Sequence, residues 1–484
     1  MFYRTESRAH AERYLRGLLL PLERKNGWTI AEHTGEKEPK AVQRFLNLTP
    51  WDADGLRDIV VKYAMENFAD PGGVLIADPT GFAKKGTKSA GVQRQYSGTL
   101  GRIDNCQITS FLAYANTAGD RVLVDRELYI PEKSWFGDRA RCAEAGIPDD
   151  VTFATRPQQV QAMIRRVRAA GLPFAWFTAD EEFGQNPGLR EYLEDEQIAY
   201  VMAVPENTVF TGPAGEETMI SDIPTRLKPN AWQRRACGIG TKGFRVYDWA
   251  LLNSASPDHQ YMIRRSIDDG ELAFYHCYNP RHEGFGELVR TAGSRWPVEE
   301  CFGAGKNEAG LDNYQVRLYH SWYRHITMSM LALAFLAVIR GAAKKGTRGL
   351  WTTPGVLQDK HPGRKCSVNP WDLDLHPVAE LRKRPRAPRD DRIRVRLPWS
   401  ELRSSRLSKS VRFAVSVRAQ RAPSRYVPGC SKTGTARRSP DDTLRAGRRG
   451  RIRPGQGVLR GDGGLAGGRG SGGADAWRAG SAAR

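Results

Sequence analysis

Three acids define the chemistry this sequence could do: Asp78, Asp180 and Glu299. Asp78 ends the short apolar run Val74-Leu75-Ile76-Ala77, and Asp180 follows a second run beginning Phe174-Ala175-Trp176-Phe177-Thr178. Strands of one sheet would hold two such carboxylates rigidly side by side, and hard divalent cations take anionic oxygen ligands, so the pattern suits two-metal phosphoryl transfer. An Asp just past a strand is also a common turn former or helix cap, so the case rests on two acids in matching positions. The third acid lies in Arg295-Trp296-Pro297-Val298-Glu299-Glu300, which continues to Lys306. With Pro297 in the first helical turn, Glu299 and Lys306 share a helix face while Glu300 points roughly 100° away. Glu299 is therefore the candidate, although acids in a first turn also suit the helix dipole without any catalysis.

The surrounding elements must position these groups. Up to about Asp70, Ala11, Leu15, Leu18, Leu19 and Leu22 recur at helical spacing. Thr29-x-x-Glu32 has the form of a capping box and Thr49-Pro50 that of a cap before an N1 proline, so residues 1–70 are expected to form a helical, helix-turn-helix-like DNA-binding domain, with a plain structural bundle as the alternative. From Gly72 the texture is α/β, with a Gly/Lys-rich loop expected at Gly81–Gly86. A hairpin is expected from Gln107 to Tyr129, then a helix around Val160–Val167 and a strand near Ala199–Ala203, giving a catalytic core over residues 71–204. Residues 205–283 read as a β-rich insertion, with Asp268-Asp269-Gly270 as a hairpin turn. Residues 284–346 return to helix and complete the core.

The formal net charge is +20, but from Leu381 onward 27 Lys+Arg face 7 Asp+Glu, leaving 47 of each sign in the first 380 residues. The net charge belongs to the tail, so any basic surface on the folded part must be local. Residues 347–484 are expected to be a disordered Arg/Gly-rich tail: either an arm adding nonspecific DNA affinity or, the favoured reading, the out-of-frame product of a GC-rich gene. The cysteines show no zinc spacing, and the apolar run Ile326–Ile339 is short for a membrane span. A protein of the bacterial cytoplasm, associated with the nucleoid and not with a membrane, is expected.

The stretch Asp78-Pro79-Thr80-Gly81-Phe82-Ala83-Lys84-Lys85-Gly86, with Arg94-Gln95-Tyr96-Ser97-Gly98-Thr99-Leu100-Gly101 and Asp104-Asn105-Cys106-Gln107, resembles the first-Asp block of insertion-sequence DDE superfamily transposases. Ala179-Asp180-Glu181-Glu182-Phe183-Gly184 resembles their second-Asp block, and Arg295-x3-Glu299-x6-Lys306 the R-E-K part of the Y-R-E-K signature, with Ala292 where the signature has Tyr. The resemblance implies an RNase H-like mixed sheet with flanking helices. It also implies a Mg²⁺- or Mn²⁺-dependent transposase with two ions on Asp78, Asp180 and Glu299, and phosphate contacts from Arg295 and Lys306. Lys84, Lys85 and Lys88 are expected DNA contacts, with a solvated lysine-rich turn as the alternative. Double-stranded DNA, as terminal inverted repeats and target, is the implied partner, bound by a homodimer. A catalytically inactive DNA-binding derivative and an RNase H-like repair or junction nuclease are the competing readings.

Overall fold

The computed structural model describes residue 2, residues 4–240 and residues 243–350, with side chains of the last helix described to residue 342. The expected disordered tail lies, from residue 351 on, outside the described residues; residues 347–350 end a helix.

Four helices open the chain: α1 (Thr5–Leu19), α2 (Gly27–His33), α3 (Lys40–Asn47) and α4 (Ala53–Phe68). Two of the expected caps fall elsewhere. Asn26 caps α2, its side chain accepting from the Trp28 and Thr29 N–H groups while the Thr29 hydroxyl serves the Asn26 N–H, so the capping box is Asn26–Thr29 and not Thr29–Glu32. Asp52, not Thr49, caps α4, because its carboxylate reaches the Asp54 N–H. The helix α3 buries Val42, Phe45 and Leu46 and leaves Lys40, Gln43 and Arg44 exposed.

The sheet begins with β1 (Val74–Ala83), β2 (Gln93–Ser97), β3 (Arg102–Ala115) and β4 (Arg121–Leu128). After α5 (Arg139–Glu144) and α6 (Arg156–Ala169) come β5 (Trp176–Ala179), α7 (Glu181–Gly184), α8 (Pro187–Asp195) and β6 (Tyr200–Val204). The strand β3 pairs antiparallel with β1 and β4, whereas β5 runs parallel to both β1 and β6. The order β4-β3-β1-β5-β6 is an RNase H-like core. Alternation along β3 places helices on both faces: Ser110 hydroxyl donates to Gln159 of α6, and its neighbour Phe111 packs edge-on against Phe302 of a later helix.

The β-rich stretch does not form a sheet of its own. After the small ribbon β7 (Val209–Thr211) and β8 (Glu217–Met219), the strands β9 (Gln233–Gly240), β10 (Gly243–Asn253), β11 (His259–Arg265) and β12 (Leu272–Tyr278) extend the core sheet antiparallel, with β12 paired to β6. The Asp268-Asp269-Gly270 turn joins β11 to β12, and Gly270 takes φ 77° there.

Three helices follow: α9 (Phe285–Gly293), α10 (Pro297–Ala309) and α11 (Tyr319–Leu350). The Tyr319–Ala342 part of α11 has 24 residues and is, by length and composition, apolar enough to cross a membrane, which corrects the sequence reading of a shorter run. It is instead a core helix: Trp322, Ile326, Met328, Met330, Ala332 and Ala334 are buried, as expected of a helix apolar all round. His325 is fully buried and ties α11 to the N-terminal helices, its Nδ1 accepting from Tyr14 hydroxyl at 2.7 Å while Nε2 donates to the Gly310 carbonyl at 3.0 Å. Burial drives that imidazole down to about 3, so it is neutral. Arg324 donates to the Leu46 carbonyl and His320 bonds the Asn47 carbonyl, so the N-terminal helices share one apolar core with the sheet.

Candidate active site

The strand β1 does not stop at Asp78; it continues through Pro79 to Ala83 against β3. A proline inside a strand is tolerable only where no partner needs its N–H. Here Lys84 N–H bonds the Asn105 carbonyl of the β3 side, so N–H groups at even positions face β3 and those at odd positions face β5. The β5 pairing ends at Ala77, so Pro79 sits where the missing donor has no ladder partner.

That same register sets the first two acids. Ala77 pairs with Ala179 in parallel, and Asp78 and Asp180 are the residues that follow this last pair on the two strands. Asp180 then leaves the sheet to cap α7, with its carboxylate accepting from the Phe183 N–H at 3.4 Å. Asp78 pairs with Phe111, which faces α10, and Glu299 lies in the first turn of α10.

Electrostatically these groups act as one cluster. Burial pushes the Asp78 carboxyl up to about 7; Arg295 opposes the shift, and Asp180, Glu299 and Glu182 add to it. Asp180 is raised by burial against the pull of Arg295 and of the Phe183 N–H. Glu182 is raised as well, by burial and then by Asp180, with Arg156 opposing from 2.6 Å. Glu299 is exposed at the rim, whereas its neighbour Glu300 is turned toward Arg121 at 3.4 Å and Arg245 at 4.0 Å. Among the described residues no three His, Cys, Asp or Glu side chains stand close enough together to hold one metal ion as placed. The donor chemistry nonetheless suits a hard cation: carboxylates raised by desolvation, and in Asp78 also by its acidic neighbours, gain from added positive charge.

The basic residues divide. Lys306 Nζ donates to Thr80 Oγ1 at 2.9 Å, two residues beyond Asp78 on the same face of β1, and burial lowers its pKa while Asp312 and Asp78 oppose. Arg295 is near enough to oppose the rise of both Asp78 and Asp180 through its charge. Lys84 turns inward, its Nζ 3.2 Å from the Tyr314 ring centroid, and burial brings it down to about 7. Lys85 is exposed, and Lys88 pairs with Glu144 at 2.7 Å on the surface. Trp249 is wholly buried between Tyr247 and Tyr275.

Glu182, Arg156 and Thr80 lie next to the candidate residues but were not singled out from sequence. Glu182 stood inside the second-Asp block, and the four-residue length of α7, which keeps it beside Asp180, was the signal that was missing.

Residues 1–236 match the family model described as DDE superfamily endonuclease. A curated relative, "Probable transposase for insertion sequence element IS701" from Microchaete diplosiphon, is 28% identical over 193 residues, covering 40% of this chain and 47% of the relative. The chain thus matches just under half the length of that relative. Among solved structures, a synaptic complex of piggyBac transposase with hairpin DNA aligns with a TM-score of 0.38 and 10% identity over 71% of this chain and 68% of that one.

Proposed function

From the match of residues 1–236 to the family model described as DDE superfamily endonuclease, we propose that the protein is a DNA transposase that cuts and rejoins the ends of an insertion sequence. The observation that supports the reading is the parallel pairing of β1 with β5, which ends at Ala77 and Ala179, one residue before Asp78 and Asp180.

In this reading Asp78, Asp180 and Glu299 hold two Mg²⁺ or Mn²⁺ ions, which when bound supply activation of water or a 3′-hydroxyl and stabilisation of the leaving oxygen. Glu299, exposed on α10, is the member free to swing inward, while Asp78 and Asp180 are fixed by backbone pairing and capping. Glu182 is held back by Arg156, which keeps a fourth carboxylate from closing the site. Lys306, oriented by Thr80, and Arg295 bind phosphates beside the scissile bond. Lys85 and Lys88 contact the backbone farther along, whereas Lys84, seated on Tyr314, anchors the base of their loop. The exposed Lys40, Gln43 and Arg44 of α3 form the contact surface of the N-terminal helices for duplex DNA. Two copies, each holding one terminal inverted repeat, bring the ends together on target DNA in the bacterial cytoplasm.

The test is cleavage of DNA carrying the element's terminal inverted repeats in the presence of Mg²⁺. Wild-type protein is expected to cut and Asp180→Ala to be inert; cutting that persists in Asp180→Ala removes the site assignment.

A further inference from the structure

The hairpin joining β2 to β3 carries a surface that the catalytic cluster does not use. Its turn, Gly98–Leu100, folds back onto β1: Thr99 Oγ1 accepts from the Gly81 N–H at 3.2 Å and lies 3.2 Å from Thr80 Oγ1, the group that Lys306 grips. Ser97 is buried against Gly81, where there is no room for a Cβ, so the hairpin is seated on the strand that bears Asp78. Side chains alternate along a strand, so with Ser97 turned in, Tyr96 is turned out. Tyr96 is 63% exposed, and directly opposite it Ile103 is 60% exposed. Arg94, two residues before Tyr96 on the same face, is exposed and makes no hydrogen bond or ion pair among the described residues. Arg102 flanks the pair from the turn, bound to Asp104 at 2.8 Å.

We propose that this hairpin is a DNA-engaging element in which Tyr96 and Ile103 bear on the base faces of a locally unstacked strand beside the acids, while Arg94 takes an adjacent phosphate. The inference rests on the transposase reading. Aromatic and aliphatic side chains cover base faces where stacking is interrupted, and guanidinium groups neutralise the backbone next to them. The exposed guanidinium of Arg94 beside the Tyr96–Ile103 pair complements a phosphate backbone. Contact of the turn with Thr80 ties the hairpin to the residue that Lys306 reaches on β1.

The experiment uses the full chain and two labelled duplexes of one sequence, one fully paired and one with a central mismatched bubble, read by fluorescence anisotropy. Wild-type protein is expected to favour the bubble. Tyr96→Ala is expected to weaken bubble binding about tenfold, with Ile103→Ala weakening it in the same direction. Binding to the paired duplex and the melting temperature should not change, and Tyr96→Phe, which keeps the ring, should bind the bubble as wild type does. Unaltered bubble binding by both alanine variants overturns the proposal, as does loss of self-association by them with DNA affinity intact. Wild-type protein that cuts its terminal repeats while Tyr96→Ala keeps full bubble binding overturns this inference alone; wild-type protein that binds neither duplex overturns it together with the transposase reading.

Discussion

Two regions of this protein bury carboxylates, and they balance the charge in opposite ways. Around β4, Asp125 is fully buried yet meets Arg166 Nε at 2.8 Å and Arg126 Nη1 at 3.5 Å. Arg166 also reaches Glu127 at 2.7 Å, which accepts from Tyr323 hydroxyl at 2.7 Å, while Arg126 donates to Thr327 of α11 and pairs with Asp54 of α4. Burial works against Arg166, but Asp125 and Glu127 hold its pKa above the ordinary value; burial likewise works against Asp54, but Arg126 and Arg57 pull that carboxyl down. Where the β1–β5 pairing ends, by contrast, Asp78, Asp180 and Glu182 are all raised, with Arg295 and Arg156 as the opposing cations. A buried acid with its own arginines fastens elements together: here β4 to α4, α6 and α11. Half-buried acids left short of positive charge favour an arriving cation, and that imbalance is the physical mark of the candidate site.

Substitutions should separate the two regions by sign. Asp125→Ala removes the buried carboxylate that Arg126 and Arg166 share, leaving them only Asp54 and Glu127, and is expected to cost about 3 kcal/mol in urea unfolding. Asp78→Asn, without divalent ions, is expected to raise stability at neutral pH. The folded Asp78 carboxyl at about 7 keeps a proton that the unfolded chain releases near the ordinary 3.8, so its contribution to stability is lost as pH rises between those values. Unfolding of wild type and Asp78→Asn across that interval should show a steeper decline in the first, the remainder in the second coming from Asp180 and Glu182. An equal decline in both would place the charge imbalance elsewhere.

A smaller effect should come from Lys306→Met, which removes the cation that Thr80 orients. DNA cleavage is expected to fall about a hundredfold, with unfolding unchanged and partial recovery in Lys306→Arg. Smallest is Tyr323→Phe in the paired network: loss of the hydroxyl that serves Glu127 and accepts from the Leu128 N–H should cost about 1–2 kcal/mol of stability and leave cleavage intact.

Much of this contrast could be read along the chain, and the rest depended on pairing between distant segments. Asp78 and Asp180 stand at the ends of apolar runs, and the 3.6-residue period separates Glu299 from Glu300, so local pattern sufficed to nominate them. That β1 runs on past Pro79 was hidden, because only the termination of β5 at Ala179 leaves the proline without a needed donor. The strand β2 was also hidden: Gln93–Ser97 is polar, and it becomes a strand by pairing with the Arg102–Cys106 end of β3. Continuity of the β-rich stretch with the core sheet turns on the nonlocal pairing of β6 with β12. Lys84 reads as a solvated loop lysine until Tyr314, over two hundred residues later, supplies an aromatic face for it. The Asp125–Arg126–Arg166 network gave no sequence signal, since its members come from two elements whose packing fixes which charges meet.

Mn²⁺ titration of the full chain followed by electron paramagnetic resonance tests the proposed metal role of the acids most directly. Wild-type protein is expected to bind Mn²⁺, and Asp78→Asn and Asp180→Asn each to lose that binding while Asp54→Asn retains it. Undiminished Mn²⁺ binding in both Asp78→Asn and Asp180→Asn would contradict the assignment of these carboxylates as the metal site.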